Sequence, residues 1–276
     1  MTLKAAVPFL LLLACPAHAG CADESDVCET DLGSYHIRLP DGAEGAGAVL
    51  FLHGYGSHGG NTIGNDRIVA PALRRGYAVI APNGIPTAEG RPNGWGFFPG
   101  RGQRDETAFL TGVADDAAHR FGLDRGRRML AGFSSGGFMV TYLACGAPES
   151  FAAYAPVAGG FWRPHPDACA GPVNLLHSHG WMDGTVPLEG RPLGGGRYMQ
   201  GDIFKGLEIF RMANGCAAMR PDESSNEGPF WRRSWSACGD GAALDFLLFP
   251  GGHTVPGWWS DTALDWFEGL ATPPVE

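Results

Sequence analysis

The pentapeptide Gly132-Phe133-Ser134-Ser135-Gly136 follows directly on the apolar run RRMLA. A serine held in a sharp turn from strand to helix needs small neighbours two residues to either side, because a Cβ there collides with backbone that the turn crosses. Such a turn lifts the Ser134 hydroxyl clear of the sheet. It also aims the start of the next helix at that hydroxyl, where negative charge developing on a substrate oxygen is favoured. The chemistry this points to is acyl transfer by a serine nucleophile. A chain with 43 glycines in 276 residues produces such a match by chance, however, so the serine must be judged by its partners.

Two partners stand further along, each just after an apolar run. Asp183 lies in HSHGWMDGTVP and His253 in GGHTVPG, after LDFLLFP. The order Ser, Asp, His is the one used by α/β-hydrolases. Serine is a poor nucleophile until a base takes its proton, which is the role expected of His253. A buried carboxylate, Asp183, would fix the imidazole tautomer and stabilise the imidazolium. His179 is the main competitor as base, and Glu189 and Asp202 are the substitutes for Asp183. The oxyanion needs two fixed N–H donors. Ser135, next to the nucleophile, supplies one, and the loop after LFLH supplies the other from Tyr55 or Gly56, with Tyr55 preferred.

These groups need a scaffold with several strand ends at one edge. Apolar runs at residues 47–53, 77–81, 128–132, 151–158, 173–177 and 244–249 read as buried strands, and residues 34–39 as an edge strand. Between them, Asp105 caps a helix that runs to about Phe121 and stops at Gly122. A second helix follows Gly136 to about Cys145, and a third begins at Asp202 and stops at Asn214-Gly215. Apolar strands alternating with amphipathic helices predict an α/β fold with a mostly parallel sheet covered on both faces. Such sheets carry their chemistry at the carboxyl ends of the strands.

The remaining composition narrows the setting. Residues 1–19 carry Lys4, an apolar stretch and Ala17-His18-Ala19, which together predict a cleaved secretory signal and a secreted or periplasmic protein with one catalytic domain over residues 20–276. A lipoprotein anchored through Cys15 or Cys21 is a weaker alternative. The signal is too short for a membrane span. A net charge of −9 with no basic cluster argues against nucleic acid and anionic membrane surfaces. Cys21, Cys28, Cys145, Cys169, Cys216 and Cys238 remain after the signal. Six cysteines allow fifteen pairings, and pairing of sequence neighbours is the expectation.

Two decoys are set aside. Gly54-Tyr55-Gly56-Ser57-His58-Gly59 has dinucleotide-site spacing, but the next strand ends in Ala81-Pro82-Asn83, without the acidic residue a ribose needs. His177 and His179 with Asp183 lack a further ligand at useful spacing, so no metal is expected. Trp95, Phe97, Phe98, Phe161, Trp162, Trp181, Trp258 and Trp259 fall near these loops. Trp95, Trp162, Trp181 and Trp258 are candidates to wall a substrate cleft.

Taken together, LFLHGYG, RDETAF, AGFSSGG, APVAGG, HSHGWMDGTVP and GGHTVPG resemble the secreted esterases that include polyhydroxybutyrate depolymerases, feruloyl esterases and acetylxylan esterases. The similarity covers about residues 33 to 265. It implies an α/β-hydrolase fold, Ser134, Asp183 and His253 as a triad, no cofactor, and disulfides Cys145–Cys169 and Cys216–Cys238. Ser135 and Val255 depart from the asparagine and tryptophan common in the family, which bears on the acyl pocket and not on the triad. The chain ends at Glu276, without the granule-binding domain usual in extracellular depolymerases, which favours soluble, oligomeric or plant-wall esters. A serine peptidase or amidase on this fold uses the same parts. A non-catalytic binding protein is the reading from another class.

Overall fold

The computed structural model describes Cys21, residues 26–98 and residues 104–270. The expected signal at residues 1–19 lies outside them. Ten strands form one sheet: β1 (Cys28–Thr30), β2 (Gly33–Arg38), β3 (Gly47–Leu52), β4 (Tyr77–Pro82), β5 (Arg128–Phe133), β6 (Ala153–Val157), β7 (Leu175–Gly180), β8 (Glu223–Ser225), β9 (Trp231–Trp235) and β10 (Leu244–Phe249). Their spatial order is β1-β2-β4-β3-β5-β6-β7-β10-β9-β8. The six strands from β4 to β10 in that order are parallel, and the outer pairs are antiparallel. This is the α/β-hydrolase arrangement expected from the alternation of apolar strands and helices.

Every residue of β3 and β4 is buried, as befits strands covered on both faces. Ala48, Leu50 and Leu52 join one core with α3 (Glu106–Phe121), α4 (Ser135–Gly146) and α5 (Ile203–Ala213). Val49 and Phe51 join the other with α2 (Asp66–Arg74) and α6 (Trp259–Leu270). The short α1 (Gly59–Ile63) follows β3. Helix boundaries follow local chemistry. Asp105 accepts a hydrogen bond from the Ala108 N–H and Gly122 closes α3 at φ 68°, a left-handed value that suits glycine. Asp202 caps α5 in the same way, through the Lys205 N–H.

Some strand expectations need correction. Residues 34–39 are not an edge strand: β2 lies inside β1, held by Cys28–Tyr35 pairing. The run at 173–177 is shifted, because the strand is Leu175–Gly180 and both His177 and His179 lie within it. The run at 151–158 is trimmed to Ala153–Val157. The antiparallel β8 and β9 were not foreseen; Trp231–Trp235 carries two arginines and alternates too weakly to signal a strand.

Three disulfides join Cys21–Cys28, Cys145–Cys169 and Cys216–Cys238, the sequence-neighbour pairing. No helix among the described residues is long and apolar enough to cross a membrane.

Candidate active site

Ser134 sits between β5 and α4 at φ 56° and ψ −117°, a backbone state rare for any residue with a side chain. The surrounding glycines explain how it is held there. A Cβ on Gly136 would lie 2.2 Å from the Leu52 carbonyl oxygen, and one on Gly132 2.7 Å from the Gly136 carbonyl. Backbone-on-backbone packing of this kind over-determines the turn, which is what lets a strained residue persist. The Ser134 N–H donates to Val157 O and its carbonyl accepts from the Phe138 N–H, which ties the turn to β6 and to the helix.

The structure brings Ser134, Asp183 and His253 together. His253 Nε2 is 2.8 Å from Ser134 Oγ, and His253 Nδ1 is 2.7 Å from Asp183 Oδ2. Since the carboxylate can only accept, Nδ1 carries the proton and Nε2 is free to accept from the serine hydroxyl. A close crossing of two loops sets this geometry. A Cβ on Gly180 would lie 2.3 Å from Gly252 O, and the Trp181 and Met182 N–H groups donate to Phe249 O and Gly251 O. The segment leading to Asp183 is thereby laced to the one leading to His253.

Asp183 is buried, and burial pushes its carboxyl group up. The hydrogen bond from His253, the Val186 N–H and the neighbouring imidazoles outweigh that penalty, so the group ends below the usual carboxylate range. Its Oδ1 accepts from the N–H groups of Thr185 and Val186 at 2.9 and 2.8 Å. The alternatives fall away. Asp202 is occupied as a helix cap, and Glu189 is exposed. His179 is fully buried, and its Nε2–H is given to Val186 O. Burial pushes both His177 and His179 below the ordinary histidine range, so they are neutral.

In the loop after β3, the Gly56 N–H is spent on Asn93 O at 2.8 Å. The N–H groups of Tyr55 and Ser135 have no acceptor among the described residues. His53 braces this loop. Its Nδ1–H donates to Gly54 O, its Nε2 accepts from the Gly84 N–H, and its carbonyl accepts from Trp95 Nε1. The glycines of the dinucleotide-like loop have structural work instead. Gly59 packs where a Cβ would meet Ala81 O at 2.2 Å.

A cavity of about 640 Å³ opens beside Ser134. Trp95 and Trp162 line it, together with Phe97, Phe98 and Phe138. Trp95 is a wall fixed from behind, being only 2% exposed. Trp181 and Trp258 do not line the cavity. Trp181 points to solvent at 61% exposure, and Trp258 packs on Phe230 and Phe249. Proximity to Asp183 and His253 in sequence misplaced both, because Trp181 turns out to solvent while Trp258 packs against the second core. Two small hairpins were also missed. Ile85–Pro86 pairs with Asn93–Gly94, and Pro192–Leu193 with Tyr198–Met199; they add Thr87, Arg91, Leu193, Tyr198 and Gln200 to the lining. Two-residue ribbons have no periodicity to read.

No family model matches the chain. It is 26% identical over 235 residues to the "Probable feruloyl esterase C" of Aspergillus niger, covering 79% of this chain and 75% of that protein. Feruloyl esterase C of Emericella nidulans is 25% identical over 230 residues, with the same coverage of each. Among solved structures, an acetyl xylan esterase from Aspergillus awamori has a TM-score of 0.65 at 18% identity, over 88% of this chain and 98% of that one. Sheet order, the strand-to-helix turn at Ser134 and the structural likeness define an α/β-hydrolase fold. Within that fold, the curated relatives it matches in sequence are feruloyl esterases.

Proposed function

We propose that the protein is an exported serine esterase of plant-wall esters, working through an acyl-enzyme formed on Ser134. The observation that carries this is the unbroken line from Asp183 Oδ2 through His253 to Ser134 Oγ, at 2.7 and 2.8 Å. His253 Nε2 takes the hydroxyl proton as Ser134 Oγ bonds to the ester carbonyl carbon. The tetrahedral oxyanion is met by the N–H groups of Ser135 and Tyr55. Collapse expels the alcohol, which takes the proton back from His253. Water, activated by the same imidazole, then attacks the acyl-enzyme and restores the serine. Asp183 stays ionised throughout, consistent with its lowered carboxyl pKa.

The plant-wall assignment draws on the feruloyl esterase relatives and on the aromatic wall of the cavity. Export draws on the sequence of residues 1–19 and on three disulfides, which persist in oxidising compartments. One catalytic domain follows the signal in this reading. The test is pre-steady-state hydrolysis of p-nitrophenyl butyrate with intact-mass analysis. A stoichiometric burst of nitrophenol and a butyryl adduct on the Ser134 peptide are expected; linear release with no adduct would overturn the acyl-enzyme.

A further inference from the structure

Two arginines line the cavity that opens beside Ser134, and they reach it from different loops. Arg91 lies in the turn of the small hairpin that joins Ile85–Pro86 to Asn93–Gly94, where its N–H donates to Ala88 O at 3.0 Å. That hairpin is docked on the loop after β3 and on the nucleophile turn. Asn93 O accepts from the Gly56 N–H, and a Cβ on Gly94 would lie 3.3 Å from the Tyr55 ring and 3.6 Å from Ser135 Oγ. Arg191 is held by the segment that follows Asp183, since its Nε donates to Thr185 O at 2.9 Å. Each arginine is therefore carried by a segment that packs on the parts around Ser134.

Neither charge is matched. Arg91 and Arg191 form no ion pair among the described residues, and Glu89 and Glu189, the nearest acids in sequence, do not reach them. With Nε given to Thr185, Arg191 keeps both terminal nitrogens, and the exposed Arg91 keeps its whole fork. Glu106 is the one acidic residue in the described lining, and its carboxylate is committed elsewhere. Its Oε1 accepts from the Gly96 N–H and its Oε2 from Arg104 at 2.8 Å. The wall thus carries two uncompensated positive charges in a chain whose net charge is −9. An acidic whole does not draw anions from a distance, so what these arginines offer is local. A guanidinium fork matches a carboxylate with parallel N–H donors and sheds its water more readily than an ammonium. Resting on the esterase reading above, we propose that Arg91 and Arg191 form an anion-reading rim that selects esters bearing a second, ionised carboxylate away from the bond that is cut.

The test uses ester pairs that differ only in carboxylate against carboxamide, which keeps shape and removes charge. One arm places the group on the acyl side: monomethyl adipate, pimelate and suberate, each against its monoamide. The other places it on the alcohol side: ω-acetoxyhexanoate and ω-acetoxyoctanoate, each against its amide. In the wild-type enzyme at least one carboxylate is expected to lead its amide by about 10-fold in kcat/KM, the low end for a charge-assisted hydrogen bond because the rim meets water. The lead should lie mainly in KM, since the arginines touch a group remote from the reacting carbonyl. The arm in which it appears tells which side of the ester carries the carboxylate. Raising salt from about 20 to about 500 mM should shrink the lead. In Arg191→Gln and, separately, Arg91→Gln, the lead should fall toward unity, with thermal unfolding recorded to establish that each variant is folded. Arg91 is exposed, which guards against the Arg191 variant failing to fold, and the wild-type ratio needs neither. No lead on either arm at any length, or a lead undiminished in both folded variants, would overturn the rim. Hydrolysis of p-nitrophenyl acetate separates the two failures. Equal rates within every pair from active enzyme sink this inference alone, whereas inactivity on every ester sinks the esterase reading beneath it.

Discussion

Asp183 Oδ2 faces two imidazoles, His253 Nδ1 at 2.7 Å and His179 Nε2 at 3.6 Å. They are not equivalent. The His179 proton belongs to the Val186 carbonyl, while the Val186 N–H supports Asp183 Oδ1. His179 is therefore a buried prop for the loop that presents the carboxylate. Only His253 also reaches Ser134.

Substitutions should separate those roles. Asp183→Asn is expected to lower kcat on p-nitrophenyl acetate by about 10⁴-fold, because the imidazole is left in the wrong tautomer. His179→Gln keeps a donor for the Val186 carbonyl and should cost no more than about tenfold. Steady-state kinetics on purified variants decides the matter. A loss at His179 as large as that at Asp183 would mean that the second imidazole takes part in proton transfer.

Gly136→Ala puts a Cβ into the Leu52 carbonyl, 2.2 Å away. Both atoms are main chain in a buried crossing, so neither side can yield without moving the sheet. The expected cost is about 2–4 kcal/mol, read as a lower midpoint in urea unfolding or as loss of soluble protein. A midpoint within error of the wild type would show that the turn is looser than its packing indicates.

Much of this site was legible in sequence, for a physical reason. Glycines at 132 and 136, an aspartate and a histidine after apolar runs, and a capped α3 are constraints that act locally and leave residue-type signatures. What escaped depended on distant packing. That His179 lies within β7 rather than beyond it depends on pairing with β10. The outward aim of Trp181 follows from the crossing at Gly180 and Gly252. Gln200 reaches the cavity only because a glycine-rich hairpin folds back on Trp162.

Stability should fall on the acid side more steeply than carboxylates alone predict. Burial pushes His177 and His179 below the ordinary histidine range in the folded protein. As pH falls through about 6.5, the unfolded chain takes up protons that the folded one refuses, so unfolding is favoured. Two such sites contribute a slope of up to about 2.7 kcal/mol per pH unit below that point. Asp183, with its lowered pKa, adds stability at neutral pH that is lost only at more acid values, as pH drops through its folded pKa. Urea unfolding of wild type and His177→Gln across pH 4.5 to 7.5 checks the sign and size. The variant should lose part of the slope that begins near 6.5, since burial also holds His36 and His53 below the ordinary range, and an unchanged slope would contradict the assignment.

The most direct measurement is kcat of Ser134→Ala on p-nitrophenyl butyrate, in protein free of contaminating esterase. The expected loss is about 10⁶-fold, down to what the oxyanion donors and binding supply without a nucleophile. Retention of a few per cent of wild-type activity would mean that another group attacks the ester, and that the line from Asp183 through His253 to Ser134 is not the catalytic one.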